Sequence, residues 1–434
     1  GIGIVRISGP TARSILQRVF RARQAKPTPL RLTYGHIIDT ERGETVDEVL
    51  AVYMPAPRTY TRQDVVEIDC HGGPVPLRRV LELCLRYGAR LAGPGEFTLR
   101  AFLNGRIDLA QAEAVADLVE AKTDAGLRLA VAQLDGQLSE QIRAIRMRLH
   151  DALAWVEASI DFDEEDVSPY DIEADLLSAQ ALVSDLLVGA ERGIVYRQGI
   201  RTAIVGQPNV GKSSLLNALL RVDRAIVTPI PGTTRDTLEE TLNLHGIPLV
   251  LVDTAGIRAD TRDLVEDLGV ARSRAALAQA DLALLVIDGN HEVDDGDRAI
   301  AALIGHKPAI VVVNKTDLPV VARASELLHV PQVEISALTG AGIEALERAI
   351  EDVVFAGQVV ASDVALVSSP RHRDVLQRAL EHVGAALSAQ RTGMPLDFVS
   401  IGLRSAVNAL GEITGETVSE TLLETIFGRF CIGK

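Results

Sequence analysis

Residues 201–220 read RTAIVGQPNVGKSSLLNALL, and this stretch decides the fold of the region around it. Gly206–Ser213, GQPNVGKS, is the pattern GxxxxGK(S/T) in the setting that gives it meaning. It follows an apolar run that reads as a strand and opens an apolar run that reads as a helix. Glycines let backbone N–H groups approach phosphate oxygens, and the helix N-terminus adds its dipole. Lys212 reaches the outer phosphates, and Ser213 offers a hydroxyl to Mg²⁺. Working outward, LVLVDTAG (249–256), LALLVIDG (282–289), AIVVVNKTD (309–317) and VEISAL (333–338) are apolar runs ending in polar or glycine clusters. Helix-like segments lie between several of them, which predicts a doubly wound, largely parallel sheet. TLEETLNLHG (237–246), one short turn ahead of LVLVD, predicts a single antiparallel edge strand.

The motifs after the phosphate loop come in the order and spacing of a small GTPase. Thr233-Thr234 lies in a loop after the first helix, and Thr234 suits contacts to Mg²⁺ and a γ-phosphate. In DTAG, Asp253 can hold Mg²⁺ through water and the Gly256 N–H can sense the γ-phosphate. In NKTD, Asp317 can accept two N–H bonds that guanine supplies and adenine does not, which gives strong discrimination. Ser336-Ala337-Leu338 would support the base from the next strand. The expected GTP contacts are Asn209, Val210, Gly211, Lys212, Ser213 and Ser214; Asp253, Thr254, Ala255 and Gly256; Asn314, Lys315, Thr316 and Asp317; and Ser336, Ala337 and Leu338. The loop Thr228, Pro229, Ile230, Pro231, Gly232, Thr233 and Thr234 completes the set. An ATPase is the competing reading of the phosphate loop, and NKTD argues against it.

Many GTPases place Gln after DTAG to orient the attacking water. Ile257 stands there and cannot do so; Asp260, Asp263, Glu266 and Asp267 follow as carboxylates that could.

The flanking sequence has other textures. Residues 1–100 alternate strand-like runs (IGIVRIS, RLTYGHIID, EVLAVYM, VVEIDC) with helix-like ones (TARSILQRVF, VPLRRVLELCLRYG), as in a compact α+β domain. From Asp108 to Ile160 the chain is rich in Ala, Leu, Glu and Gln with no Pro, which is long-helix composition. The acidic run Asp161–Asp166 reads as a solvated loop, helix resumes from Ile172, and helical periodicity returns after Pro370. The expected division is an N-terminal domain over 1–101, a helical domain over 102–198 and 359–434, and an inserted α/β GTPase domain over 199–358.

Composition sets limits. Of 434 residues only 3 are Cys, without paired spacing, which excludes a disulfide scaffold and suits free thiols in a reducing cytoplasm. No stretch approaches the ~20 apolar residues of a membrane span. GIGIVRISGP has neither the basic flank nor the cleavage site of a signal peptide. A net charge of −15 with 3% aromatics argues against a protein that tracks nucleic-acid backbone over its whole surface, and leaves room for a local patch.

PGEFTLRAFLNGRIDLAQAEAVADL (94–118), the inserted phosphate-loop domain and the terminal CIGK (Cys431–Lys434) together resemble the MnmE, or TrmE, family of tRNA-modifying GTPases along the whole chain. The resemblance implies a homodimer formed through an N-terminal domain that binds 5-formyl- or 5,10-methylene-tetrahydrofolate. It implies a flavoprotein partner, MnmG (GidA), in a heterotetrameric or larger complex. It also implies addition of an aminomethyl-type (carboxymethylaminomethyl) group at C5 of the wobble uridine of certain tRNAs. The family's water-positioning glutamate lies in V-E-x-(I/L)-G after DTAG, which here is Glu266. The family needs K⁺, and the matching ligands are Asn209, Thr228, Ile230 and Thr233. Folate contacts carry over to Arg6, Glu67 and Lys434, and to Arg106 where Lys also occurs in relatives. Cys431 is a nucleophile or carbon carrier in one reading and a structural thiol in the other. Two competing functions are a regulatory GTPase switch acting on RNA or ribosomes without modification chemistry, and a one-carbon transferase gated by an unrelated G domain.

Overall fold

The computed structural model describes residues 1–23, 28–162, 168–222, 240–252, 266–355, 367–430 and 432–433, with the side chains of 221–222 and 266–272 excepted. Two compact units divide the chain. One comprises Gly1–Ala116, Gln133–His150 and Arg404–Lys434, and the other Asp117–Ala132 and Asp151–Leu403.

The first unit is built on an antiparallel sheet ordered β1-β5-β4-β3-β2, with β1 Ile2–Ser8, β2 Phe20–Ala22, β3 Thr33–Asp39, β4 Glu44–Met54 and β5 Val65–His71. Period-two alternation sends Val5 and Ile7 inward while Ile4 and Arg6 face out. The inward set packs with Ile15, Leu16 and Val19 of helix Ala12–Val19 and with Val80, Leu83 and Cys84 of helix Pro74–Arg86. The helix expected over TARSILQRVF stops one residue early. Phe20 turns extended and pairs with Ile37 at the sheet edge. Gly35 of β3 makes this possible, because a Cβ there would meet the Phe20 ring at 2.7 Å. Burial pushes the thiols of Cys70 and Cys84 up to about 12, which makes them inert core groups.

The run from Asp108 to Ile160 is three helices, Leu109–Glu120, Asp124–Leu134 and Gln137–Asp161, not one. Thr123 Oγ1 accepts the Gly126 N–H (3.2 Å), as an N-cap does, and starts the second. Gly136, at φ +91°, separates the second from the third.

The second unit carries a six-stranded sheet ordered β11-β10-β9-β6-β8-β7. Its strands are β6 Ile200–Val205, β7 Glu240–Leu244, β8 Ile247–Val252, β9 Leu282–Asp288, β10 Ala309–Asn314 and β11 Gln332–Glu334. All neighbours are parallel except β7, which pairs antiparallel with β8, as expected for the edge. Both faces are covered. Ile204, Leu284 and Ile310 pack with Leu215 and Leu346 on one side, and Val205, Leu285 and Val311 pack with Ile300 on the other. Helices Ile172–Gln198 and Pro370–Arg391, one before and one after this sheet in sequence, pack together through buried aliphatic stripes such as Leu176-Ala179-Val183 and Val375-Ala379-Val383. Asp171 caps the first by accepting from the Ala174 N–H (3.0 Å). Among the described residues no helix is long and apolar enough to cross a membrane.

Candidate nucleotide site

β6 lies between β8 and β9, so the chain leaves it first to one side and then to the other. The carboxyl end of β6 is therefore a topological switch point, where open α/β sheets bind ligands. The phosphate loop starts there. Gly206 has φ +151°, and a Cβ on it would overlap the Val286 carbonyl oxygen of β9. Gly211 has φ +99°, and a Cβ there would overlap the Asn314 side-chain amide. Asn209 also adopts a left-handed conformation, φ +64°, which asparagine tolerates better than most residues. Helix Lys212–Val222 follows, anchored by buried Leu215, Leu216 and Leu219, with Ser213 and Ser214 in its first turn. The Lys212 ammonium donates to the carbonyls of Gly206 (3.1 Å) and Gln207 (2.7 Å), which holds it over the loop.

The NKTD motif begins at the end of β10 and is tied to the phosphate loop by one residue. Asn314 is 2% exposed; its Nδ2 donates to the Val210 carbonyl (2.8 Å) and its Oδ1 accepts from the Ala337 N–H (3.0 Å). One buried amide thus fixes three loops relative to each other. Asp317 faces solvent, and its Oδ1 accepts from the Ser336 hydroxyl (2.6 Å), which orients the carboxylate outward from the strand ends. The Thr316 N–H donates to the Ile335 carbonyl (3.1 Å), and Leu338 is 83% exposed at the rim. Lys315, at φ +68°, donates from Nζ to Asp288 Oδ2 (2.6 Å). Burial opposes ionisation of Asp288, but Lys315 and the Asn290 N–H outweigh it and hold the carboxyl below its ordinary value.

The sequence reading missed Asp288, Gln207 and Asp294 as contributors. Asp288 was legible only as the end of LALLVID, although it stands in register with Asn314. Gln207 Nε2 donates to Asp294 Oδ1 (2.5 Å), and Asp294 caps helix Asp295–Ile304, so the phosphate loop is also held from that side. The Val210 carbonyl serves as an acceptor that no side-chain motif could reveal. Thr228–Thr234 and Asp253–Gly256 lie outside the described residues. So does the side chain of Glu266, the first residue of helix Glu266–Gln279.

A second group of expected residues gathers in the first unit. Arg6 of β1 stands opposite Glu67 of β5, and its Nε donates to Glu67 Oε1 (2.6 Å). The same guanidinium lies 5.7 Å from the Phe97 ring centroid and donates to the Gly433 carbonyl (3.4 Å). Ile432 bridges Pro94, which brings the chain end to this edge; Cys431 and Lys434 lie outside the described residues. PGEF owes its spacing to this junction. Gly95, at φ +61°, sits against the Phe427 carbonyl and the Phe430 side chain. The Arg90 guanidinium, working against burial and helped by the Gly93 N–H and Arg100, holds the Glu96 carboxyl down at about 2. Arg106 is engaged elsewhere: it stacks over the Tyr60 ring (4.8 Å) and donates to the Tyr60 carbonyl (3.2 Å). Among the described residues no group of three or more His, Cys, Asp or Glu could hold a metal ion.

The family described as "GTP-binding protein TrmE N-terminus" matches residues 1–106, and that described as "MnmE helical domain" matches residues 109–431. The tRNA modification GTPase MnmE of Alkaliphilus metalliredigens is 51% identical over 100% of this chain and 96% of its own length. Those of Roseiflexus castenholzii and Chloroflexus aurantiacus are each 52% identical over 100% of this chain and 96% and 97% of their own. Among solved structures, the G domain of the T. maritima FeoB iron transporter aligns at 25% identity with 36% of this chain and 98% of its own, with a TM-score of 0.25.

Proposed function

We propose, from the premise that this chain belongs to the MnmE family of tRNA modification GTPases, that its GTP hydrolysis is potassium-dependent and drives addition of a carboxymethylaminomethyl-type group to C5 of a wobble uridine. The observation that carries the reading is the buried Asn314 amide, which holds the phosphate loop and the guanine-reading loops as one rigid site. In this reading Ser213 and Thr234 hold Mg²⁺, and Asn209, Thr228, Ile230 and Thr233 hold K⁺. The left-handed Asn209 and the cradle that a Cβ at Gly206 or Gly211 would fill suit that role, with Lys212 beside it. Bound there, the cations supply positive charge to the transferring phosphoryl group. This chain's own residues grip the nucleotide, select guanine through Asp317, and present water through Glu266.

The domain boundaries 1–101, 102–198, 199–358 and 359–434 belong to the same proposal, as do a cytoplasmic location and an MnmG-type FAD-dependent partner. A homodimer through the N-terminal domain is supported by apolar side chains on the outward face of its sheet, where Ile2, Ile4 and Leu50 are 77%, 53% and 40% exposed.

Two expected results test the cation and folate parts. Hydrolysis in K⁺ should exceed that in Na⁺ by ~10-fold or more, about 1.4 kcal/mol of barrier, and Asn209→Ala should erase the difference. Equal rates of the intact chain in both salts would remove the potassium site. Calorimetry should detect binding of 5-formyl-tetrahydrofolate, with Arg6→Ala weakening it ~10–100-fold, the size of a lost charge-assisted hydrogen bond. No heat of binding to the intact chain would remove the one-carbon reading.

A further inference from the structure

The net charge of −15 conceals an asymmetry. Residues 1–101 carry 15 Lys and Arg against 10 Asp and Glu, whereas the remaining residues carry 29 against 49. Within the positive part the arginines are of two kinds. Arg42, Arg78, Arg79, Arg86 and Arg90 each face a carboxylate at 2.5–3.9 Å. Arg13, Arg18, Arg21 and Arg23 are exposed and, among the described residues, none has a carboxylate partner. These four follow one another along the outer side of helix Ala12–Val19, opposite its buried Ala12, Ile15, Leu16 and Val19, and on past edge strand β2.

Three of the four are held in a common way. Arg13 lies over Tyr53 (5.2 Å), Arg18 over Tyr87 (5.6 Å) and Arg23 over Tyr34 (5.7 Å). Each tyrosine hydroxyl is itself engaged: Tyr53 donates to Asp64 (3.1 Å), Tyr34 to Glu48, and Tyr87 pairs with the Thr40 hydroxyl (2.7 Å). Arg23 Nη1 also donates to the Tyr34 hydroxyl (3.3 Å) and Arg13 hydrogen-bonds the Tyr53 hydroxyl, so these two arginines share their phenol oxygens with Glu48 and Asp64. Arg21 caps the helix, donating to the carbonyls of Gln17 (2.9 Å) and Phe20 (3.0 Å). A guanidinium carries five N–H donors, so one held over a ring and by one N–H on its hydroxyl keeps donors for a ligand, and two parallel donors match a phosphate. A row of such groups with no direct carboxylate partner among the described residues, in an otherwise acidic protein, fits a polyphosphate backbone. β2 is the sheet edge opposite β1, so this row is separate from the Arg6–Glu67 group.

We propose that Arg13, Arg18 and Arg23 form a direct contact surface for the phosphate backbone of tRNA. The identity of the ligand rests on the tRNA-modification reading; the surface itself rests on the charge pattern and the stacked geometry.

The test is binding of an unmodified tRNA transcript to the full chain, followed by fluorescence anisotropy across salt concentrations. Arg13→Glu/Arg18→Glu/Arg23→Glu should weaken binding at least ~10-fold at low salt. It should also reduce the slope of log affinity against log salt by ~2–3, since each lost phosphate contact contributes about 0.7–0.9. GTP hydrolysis without RNA should be unchanged, which reports that the variant is folded. If the triple glutamate variant does not fold, Arg13→Gln/Arg18→Gln/Arg23→Gln should show the same loss in milder form. Arg78→Glu, which reverses a carboxylate-paired arginine of the same unit, should leave tRNA affinity within ~2-fold. Equal tRNA binding by wild type and the triple variants overturns the proposal, and so does an equal loss in Arg78→Glu. Retained tRNA binding with loss of flavoprotein binding overturns it in favour of a protein contact. Absence of tRNA binding by the wild-type chain alone also overturns it, while modification of tRNA in the presence of the flavoprotein would still uphold the functional reading.

Discussion

Glu266→Ala is expected to lower kcat for GTP by ~10²–10⁴, about 3–5 kcal/mol of barrier, with nucleotide affinity close to wild type. The reason is a division of labour. In the proposed site, affinity would come from the phosphate loop, with Lys212 over it, and from the loops that Asn314 joins. Ile257 occupies the position where many GTPases orient water through Gln, and an aliphatic side chain has no acceptor to offer. A carboxylate nearby in sequence does. An interaction made only in the transition state is expressed in kcat and not in binding. Glu266→Gln separates orientation from charge: partial retention means orientation, full loss means charge. Asp260→Ala, Asp263→Ala and Asp267→Ala are the controls, and a kcat loss in one of them instead of Glu266 would reassign the role. Single-turnover hydrolysis with separately measured nucleotide affinity is the measurement.

Asp317→Asn should reverse base selectivity. A carboxylate accepts two N–H bonds from guanine, and Ser336 holds it in place through Oδ1. Asparagine keeps one acceptor oxygen but sets an N–H donor against the second guanine N–H. One charge-assisted bond worth ~1.5–3 kcal/mol thus becomes a donor–donor clash and the other loses its charge, which should cost ~10²–10⁴ in GTP affinity. Xanthosine triphosphate, which presents an acceptor where guanine presents a donor, should gain affinity over the same substitution. The fold should hold, because Asp317 is exposed and the buried loop tie is made by Asn314. Competition between the two nucleotides for wild type and variant measures it, and unchanged selectivity for GTP would show that NKTD does not read the base.

Much of the sheet around the candidate site was legible in sequence, because a parallel strand buried on both faces leaves a continuous apolar run that ends at a polar loop. β9 and β10 show this: LALLVID and AIVVVN are buried along almost their whole length. Elements set by a single close contact were not legible. β2 exists because Gly35 makes room for the Phe20 ring, a relation between residues fifteen positions apart. The breaks between the helices of 109–161 depend on a Thr123 cap and a left-handed Gly136, small signals within a strong helical composition. At the site, NKTD marks its four residues as GTP contacts but does not reveal that Asn314 also ties the phosphate loop to the Ala337 loop or that Lys315 also pairs with Asp288. The arginine row was hidden for another reason: summed charge averages a basic domain into an acidic chain.

Whether GTP hydrolysis at the carboxyl end of β6 drives modification of tRNA is tested by combining this chain, an MnmG-type flavoprotein, a folate donor, an amine donor and unmodified tRNA, and analysing the wobble uridine by mass spectrometry. The C5-modified uridine should accumulate with GTP, be absent with a non-hydrolysable GTP analogue, and fall with Glu266→Ala in proportion to kcat. Modification at the same rate with the analogue would contradict that role for hydrolysis, since GTP would then act only as a switch whose bound state suffices.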